Sequence, residues 1–328
     1  MLGLRSSDKK NPDDHWNQPM NRLDTSHSIP AAWKIDWHNF GQLDSYLDEI
    51  ITHGVTVLNY EPHSMAQSRL LDDLIREIQT RLSNSEGGIA ILDLNTVIDR
   101  ESELLTKTKL LIVMIGNRLG RTVTRNHLSK SPFLPVYKRK EGKGDNYIGN
   151  ALTSNRPGIH TDGSAWRIAR VDLLALLSVS SAFFGGETIL VNALQVFDAL
   201  PRELQAFLCS RSFIRQDPFD HRNPDPVRRT IFHQVRASFY TGLSIKYHRT
   251  RIEGGHDYLG EPLSVEDKDA LDKLDRSLLA KRFRHQFKLR SGQILFVNNN
   301  FICHDRTRFV DFGNRKRYLE RYWAGEPY

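Results

Sequence analysis

His160, Asp162 and His304 are the residues of this 328-residue chain whose types and order could hold a metal ion. Two positions apart on an extended strand, His160 and Asp162 point to one face, so an imidazole and a carboxylate can reach the same ion. A second imidazole, from His304, completes two histidines and one carboxylate. Such a set leaves three positions open on the ion, as a non-haem Fe(II) oxygenase needs for a co-substrate and O2. In a chain with 13 histidines an H-x-D triplet alone says little, but its setting says more. Arg156-Pro157-Gly158-Ile159 leads in and Gly163 leads out, punctuation that fits a strand end at the mouth of a pocket.

The elements that would position these residues follow in order. An apolar, β-branched run over 171–181, a turn at Gly185-Gly186 and a run over 187–191 read as two strands joined by a glycine turn. A strand over 292–300 ends in Asn298-Asn299-Asn300, and His304 comes just after it. In a strand beyond, Arg317 and Arg321 fall on one face with Leu319 between them. Taken singly, these residues have ordinary readings. Arg317 and Arg321 suit a solvated basic edge, Thr188 is a common strand residue, and the asparagines can satisfy loop backbone. Cys303 adjoins His304 and so faces the other way, into the wall.

Together, the order H-x-D, Gly185-Gly186-Glu187-Thr188, an asparagine-bearing strand with a distal histidine, and R-x-x-x-R resembles the Fe(II)/2-oxoglutarate dioxygenases of the taurine dioxygenase and clavaminate synthase group. The motifs run from Arg156 to Arg321, about half the chain. The resemblance implies that His160, Asp162 and His304 ligate iron, and that Arg317 and Thr188 hold the distal carboxylate of 2-oxoglutarate. The interval from His304 to Arg317, 317 − 304 = 13, is within the group's range. Arg315, at an interval of 11, is the competitor for that role. Arg321 matches an arginine that in several relatives holds an acidic group of the prime substrate.

The implied reaction is oxidation of an unactivated C–H bond, hydroxylation by default, coupled to decarboxylation of 2-oxoglutarate to succinate and CO2. Desaturation, cyclisation and epoxidation use the same iron site and stay open. A guanidinium offers two parallel donors to a carboxylate and keeps its charge at any working pH, which explains an arginine at the co-substrate. The protein's remaining task is to place one C–H bond and exclude water. The substrate class implied is a small molecule, an amino acid or another small acid, with Arg156, Asn155 and Trp166 as further candidates for contact.

Composition sets bounds. Hydrophobic residues make up 39% of the chain, enough for a sizeable core, and the two cysteines, Cys209 and Cys303, give no disulfide framework and fit a reducing cytoplasm. The longest apolar run, 110–115, is too short to cross a bilayer, and no secretory signal is visible. The net charge of +7 raises a nucleic-acid partner. However, no helix-turn-helix, zinc spacing or aromatic-basic RNA motif accompanies it, so a small anion or surface bias is the better reading. A metal-binding jelly roll without catalysis is the other alternative.

The expected architecture is mainly β with flanking helices, a double-stranded β-helix or jelly roll whose mouth holds the metal. A loosely ordered arm over 1–30 would precede a single domain over 31–328. Apolar periodicity predicts helices over 40–51, 69–82 and 101–119, with strands over 55–58 and 88–94. Ser264-Val265-Glu266-Asp267 is a capping-box-like start for a helix reaching 279. Strands over 283–289 and 293–297, joined at Ser291-Gly292, would close the fold, and the charged stretch over 138–145 is a candidate lid.

Overall fold

The computed structural model describes residues 28–61, 68–124, 131–139, 152–167, 169–217 and 225–328. The expected arm over 1–30 lies outside them except for its last three residues, and so does the candidate lid beyond Arg139.

The first part of the chain forms β1 (Lys34–Asp36), α1 (Leu43–Thr52), α2 (Arg69–Ser83), β2 (Ile89–Asp93) and α3 (Glu103–Leu119). Strands β3 (Arg121–Thr122) and β4 (Phe133–Tyr137) lead to β5 (Ala169–Ser180), β6 (Phe184–Gly185) and β7 (Thr188–Asn192). Helices α4 (Ala193–Asp198) and α5 (Arg202–Ser210) precede β8 (Phe213–Arg215), β9 (Val227–Arg229), β10 (Phe232–Arg236) and β11 (Thr241–Ile245). After α6 (Arg249–Leu259) and α7 (Val265–Leu278) come β12 (Arg284–Phe287), β13 (Gln293–Asn298), β14 (Ile302–Arg306), β15 (Phe309–Val310) and β16 (Tyr318–Pro327).

The fold is sheet-rich with flanking helices. A seven-stranded sheet has the order β1-β2-β13-β5-β16-β3, with β4 also paired to β16, and a three-stranded sheet has the order β12-β7-β14. The expected strand pairs exist but their members do not pair with each other. β5 and β13 lie in the large sheet, whereas their neighbours β7 and β12 lie in the small one. Positive-φ glycines make these crossings possible: a Cβ on Gly185 would sit 2.0 Å from the Arg308 carbonyl oxygen, and one on Gly292 would sit 2.1 Å from that of Thr96.

Helices cover the large sheet because their apolar faces have nowhere else to go. Ser68 caps α2 by accepting the Leu71 N–H, and Leu71, Leu74, Ile75, Ile78 and Leu82 form its buried face. Burying each such side chain contributes roughly 1.5–3 kcal/mol relative to exposure. The capping box between Ser264 and Asp267 starts α7 as expected. The expected strand over 55–58 is a turn instead. Asn59 Oδ1 accepts the Thr56 N–H at 2.6 Å and Asn59 Nδ2 donates to the Gly54 carbonyl at 3.0 Å, local bonds that outcompete β pairing. Among the described residues no helix is long and apolar enough to cross a membrane.

β16 carries alternating faces. Glu320 meets Lys109 of α3 at 2.7 Å, and Tyr322 packs against Gly116 of the same helix, so the even positions face the helix layer. Leu319, Arg321 and Trp323 are left to face the other way. A Cβ at position 116 would lie 2.2 Å from the Tyr322 ring. Gly116→Ala gains about 1 kcal/mol of helix propensity but overpacks this contact by about 1–3 kcal/mol. The urea midpoint should therefore fall with an unchanged m value. A midpoint that rises would show the α3–β16 contact to be loose.

Candidate active site

The metal-ligand candidates meet because a short extended segment is held between two others. His160 donates its N–H to the His304 carbonyl at 3.0 Å and accepts the His304 N–H at 2.8 Å. On the other side His160 bridges to His248, and Thr161 donates its N–H to the Tyr247 carbonyl at 2.8 Å. This pairing leaves the His160 and His304 ring centroids 4.4 Å apart. Asp162 Oδ1 lies 3.5 Å from His160 Nε2 and 3.7 Å from His304 Nε2. Their ligand atoms all fall within 4.8 Å of one another, the one such buried group of three among the described residues.

The donors are in the form a metal requires. His160 Nδ1 donates to the Gly158 carbonyl at 2.8 Å, which fixes the ring with Nε2 turned toward Asp162. Burial, then the neighbouring His160, lowers the pKa of His304 and favours its neutral form. Burial works against the Asp162 charge, but its polar neighbours, Arg321 foremost, outweigh it and hold the carboxyl well below the usual range. Two imidazoles and a carboxylate around one point fit Fe(II).

Asp162 is fixed from several directions. Trp323 Nε1 donates to Oδ2 at 2.8 Å, and Arg321 Nη1 reaches the same oxygen at 3.4 Å. Asn299 clamps the main chain, its Oδ1 accepting the Asp162 N–H at 2.9 Å and its Nδ2 donating to the Asp162 carbonyl at 3.0 Å. Lys246, fully buried, donates to the Val171 and Asn299 carbonyls at 2.9 and 3.3 Å. Sequence reasoning singled out neither Trp323 nor Lys246. The period-two alternation that joined Arg317 to Arg321 would have reached Trp323 two residues on.

A cleft beside this group is lined by Ser178, Gly186, Thr188, Lys288, Arg317 and Leu319, among others. It brings Thr188 and Arg317 together. Arg317 is buried, its Nη1 has no partner among the described residues, and its guanidinium packs on the Phe309 ring at 5.4 Å. Ser178 Oγ is likewise buried and unpartnered among the described residues. Arg315, the competitor, is exposed. Gly186 leaves room for the arginine stem, since a Cβ there would sit 3.1 Å from Arg317 Cδ. Arg306 enters from β14, register-paired with Thr188, and packs on the other contact of the Phe309 ring at 4.8 Å.

The further substrate candidates border the group. Arg156 Nε pairs with buried Asp305 at 2.5 Å, and the Asn155 carbonyl accepts from Arg306. Trp166 donates to Asp217 at 3.1 Å and meets Trp323 edge-on at 5.2 Å. Cys303 sits in an apolar cluster on the opposite face of β14, and burial pushes its thiol up to about 12, so it is no fourth ligand. A surface groove along α4 and α5, lined by Phe197, Pro201, Arg202, Gln205 and Cys209, contains none of these residues.

The family profile described as taurine catabolism dioxygenase TauD, TfdA family matches residues 112–323. The chain belongs to this family of dioxygenases. Among solved structures, an asparagine oxygenase in complex with Fe(II), 2S,3S-3-hydroxyasparagine and succinate is similar in fold. Its TM-score is 0.65 at 15% identity, covering 89% of this chain and 93% of that one. The non-heme iron oxygenase OrfP, in a variant bound to (3S)-hydroxy-L-Arg, gives 0.64 at 15% identity over 89% and 92%. A uridine-5'-phosphate dioxygenase from a Streptomyces species is 29% identical over 173 residues, 52% of this chain. The match spans 61% of that relative's length.

In this TauD, TfdA family member the indole of Trp323 holds the carboxylate oxygen that faces away from the histidines. Trp323→Phe should weaken divalent-metal binding about 10- to 100-fold, read by calorimetry with Mn(II). Unchanged affinity would show that the Oδ2 contact does not orient Asp162.

Proposed function

We propose that this protein is an Fe(II)- and 2-oxoglutarate-dependent oxygenase that hydroxylates an unactivated C–H bond of a small acidic or amino-acid-like substrate, releasing succinate and CO2. The observation that carries this reading is the buried His160–Asp162–His304 group together with the cleft that Thr188 and Arg317 line. On it, His160, Asp162 and His304 hold Fe(II), which supplies O2 activation coupled to oxidation of the bound 2-oxo acid. The two sheets are read as the halves of a double-stranded β-helix, the jelly roll, with the metal at its mouth, in one domain over 31–328. The unpaired cysteines support a reducing, cytoplasmic setting.

The chain's own residues divide the remaining work. Arg317, desolvated and without a counter-ion among the described residues, takes the distal carboxylate of 2-oxoglutarate with Thr188 beside it. Asn299 and Trp323 keep Asp162 aimed, and the apolar walls around them exclude water. Arg321, with its guanidinium 4.4 Å from the Trp323 ring centroid, rests on Asp162 and is placed to meet an acidic group of the substrate, with Arg156, Asn155 and Trp166 around it. Desaturation, cyclisation or epoxidation would use the same groups.

A second substrate class, a nucleoside 5'-phosphate, is favoured by the uridine-5'-phosphate dioxygenase likeness together with the buried cations Arg306, Arg317 and Arg321.

Succinate formation with Fe(II) and ascorbate, measured across amino acids, sulfonates, phosphonates and nucleotides, should be stimulated by one class and vanish in Asp162→Ala. Arg317→Ala should raise the KM for 2-oxoglutarate about 10- to 100-fold, while Arg315→Ala leaves it unchanged. Arg321→Ala should abolish substrate-coupled turnover and spare 2-oxoglutarate binding; equal loss of both moves Arg321 to the co-substrate. Protein that binds the metal but never turns over 2-oxoglutarate would be a non-catalytic jelly-roll module.

A further inference from the structure

Behind the loop that follows Asp162 lies a set of basic side chains that the oxygenase reading leaves unused. Arg215 at the end of β8 is fully buried. Its Nη2 donates to the Thr230 carbonyl at 2.8 Å, its Nη1 to that of Ser164 at 3.4 Å, and its Nε has no partner among the described residues. Lys246, next to β11, is also fully buried and meets only carbonyls; its N–H bonds to the Ile231 carbonyl at 2.9 Å, which sets it alongside the 229–233 segment. Arg229 on β9 is half-buried, donates to the Trp166 carbonyl at 2.9 Å and lies over the Tyr328 ring at 3.8 Å. Among the described residues, none of these three has a carboxylate at ion-pair distance.

Two more groups complete the set. Arg170 on β5 grips Asp172 at 2.5 and 3.0 Å and donates to the Arg236 carbonyl at 3.1 Å. His233 on β10 is half-buried and makes no side-chain hydrogen bond among the described residues. Burial first, then Lys246, Arg215, Arg229 and Arg170, push its imidazole down to about 4. Four cations thus act on one imidazole, and among the described residues Asp172 is the carboxylate in hydrogen-bond contact with them, with Asp162 and Glu326 as further counter-charges. Buried charge without a counter-ion is costly, and forked guanidinium donors match a phosphate well.

We propose that Arg215, Arg229, His233 and Lys246 form an anion site that takes the phosphate of a phosphate-monoester substrate whose other end reaches the metal group. The claim about the other end rests on the oxygenase reading; the anion site itself does not. The carbonyls bound by Arg215 and Arg229 belong to Ser164 and Trp166, two and four residues beyond Asp162. Four residues span at most about 14 Å, so one small molecule can bridge the two ends.

The test is direct binding of inorganic phosphate, uridine 5'-monophosphate and uridine to the full chain without iron, by calorimetry and phosphorus line broadening. Binding of Mn(II) with 2-oxoglutarate is measured in parallel. The nucleotide should bind at least about tenfold more tightly than uridine, and Arg229→Met should erase about tenfold of that affinity. His233→Phe, at a half-buried position, is a second variant with the same expected direction. In the wild type the His233 imidazole, followed by proton resonance, should titrate higher once phosphate is bound. Phosphate binding with no gain for the nucleotide overturns the substrate assignment. Absence of both, in protein that still binds Mn(II) and 2-oxoglutarate, overturns the anion site and leaves the oxygenase reading standing. Nucleotide binding without 2-oxoglutarate binding does the reverse.

Discussion

Keeping a buried carboxylate charged is the constraint around which this structure is arranged. Asp162 loses nearly all its water, a loss that by itself would protonate it. Arg321 foremost restores the balance electrostatically, while Trp323 satisfies the oxygen that the histidines do not face. Asn299 then removes the freedom of the backbone on both sides of the residue. Arg321 and Trp323 come from β16, His304 from β14 and Asn299 from the residue after β13, so the carboxylate is set only when these distant parts of the chain are all in place. The metal group is for that reason a property of the two-sheet assembly and not of the H-x-D tripeptide.

The same assembly separates two electrostatic regions. On one side of the metal group Arg317 and Arg306 flank Phe309 near Thr188, with donors left over. On the other, Arg215, Arg229 and Lys246 are tied to carbonyls of the loop that leaves Asp162 and of the strands beside it. Both regions carry positive charge that nothing among the described residues neutralises fully. An anionic co-substrate on one side and an anionic substrate on the other would balance the charges that burial makes costly.

Much of this was legible in the sequence because it follows simple periodicities. Period two placed His160 with Asp162 and set Cys303 apart from His304, apolar spacing located α1, α2 and α3 to within a few residues, and the capping box at Ser264 located α7. The order of the motifs joined Thr188 to Arg317 before any cleft was visible. What escaped depends on register between distant strands. That Trp323 points at Asp162, or that Lys246 lies across from it, follows from pairings no local pattern reports. The strand expected over 55–58 failed because Asn59 offers the backbone a closer partner than a sheet does. Helices α4 to α6 and the β8–β11 ribbons went unmarked, since their short elements carry little periodicity of their own.

The central claim is that His160, Asp162 and His304 hold iron with an open face beside Arg317. Its most direct test is anaerobic titration of Fe(II)-loaded protein with 2-oxoglutarate, watching for the visible charge-transfer absorption of the chelated 2-oxo acid. The account predicts that the band appears and saturates in the wild type and is absent from Asp162→Ala. Protein that takes up Fe(II) through these residues yet never develops the band, at any 2-oxoglutarate concentration, would contradict it.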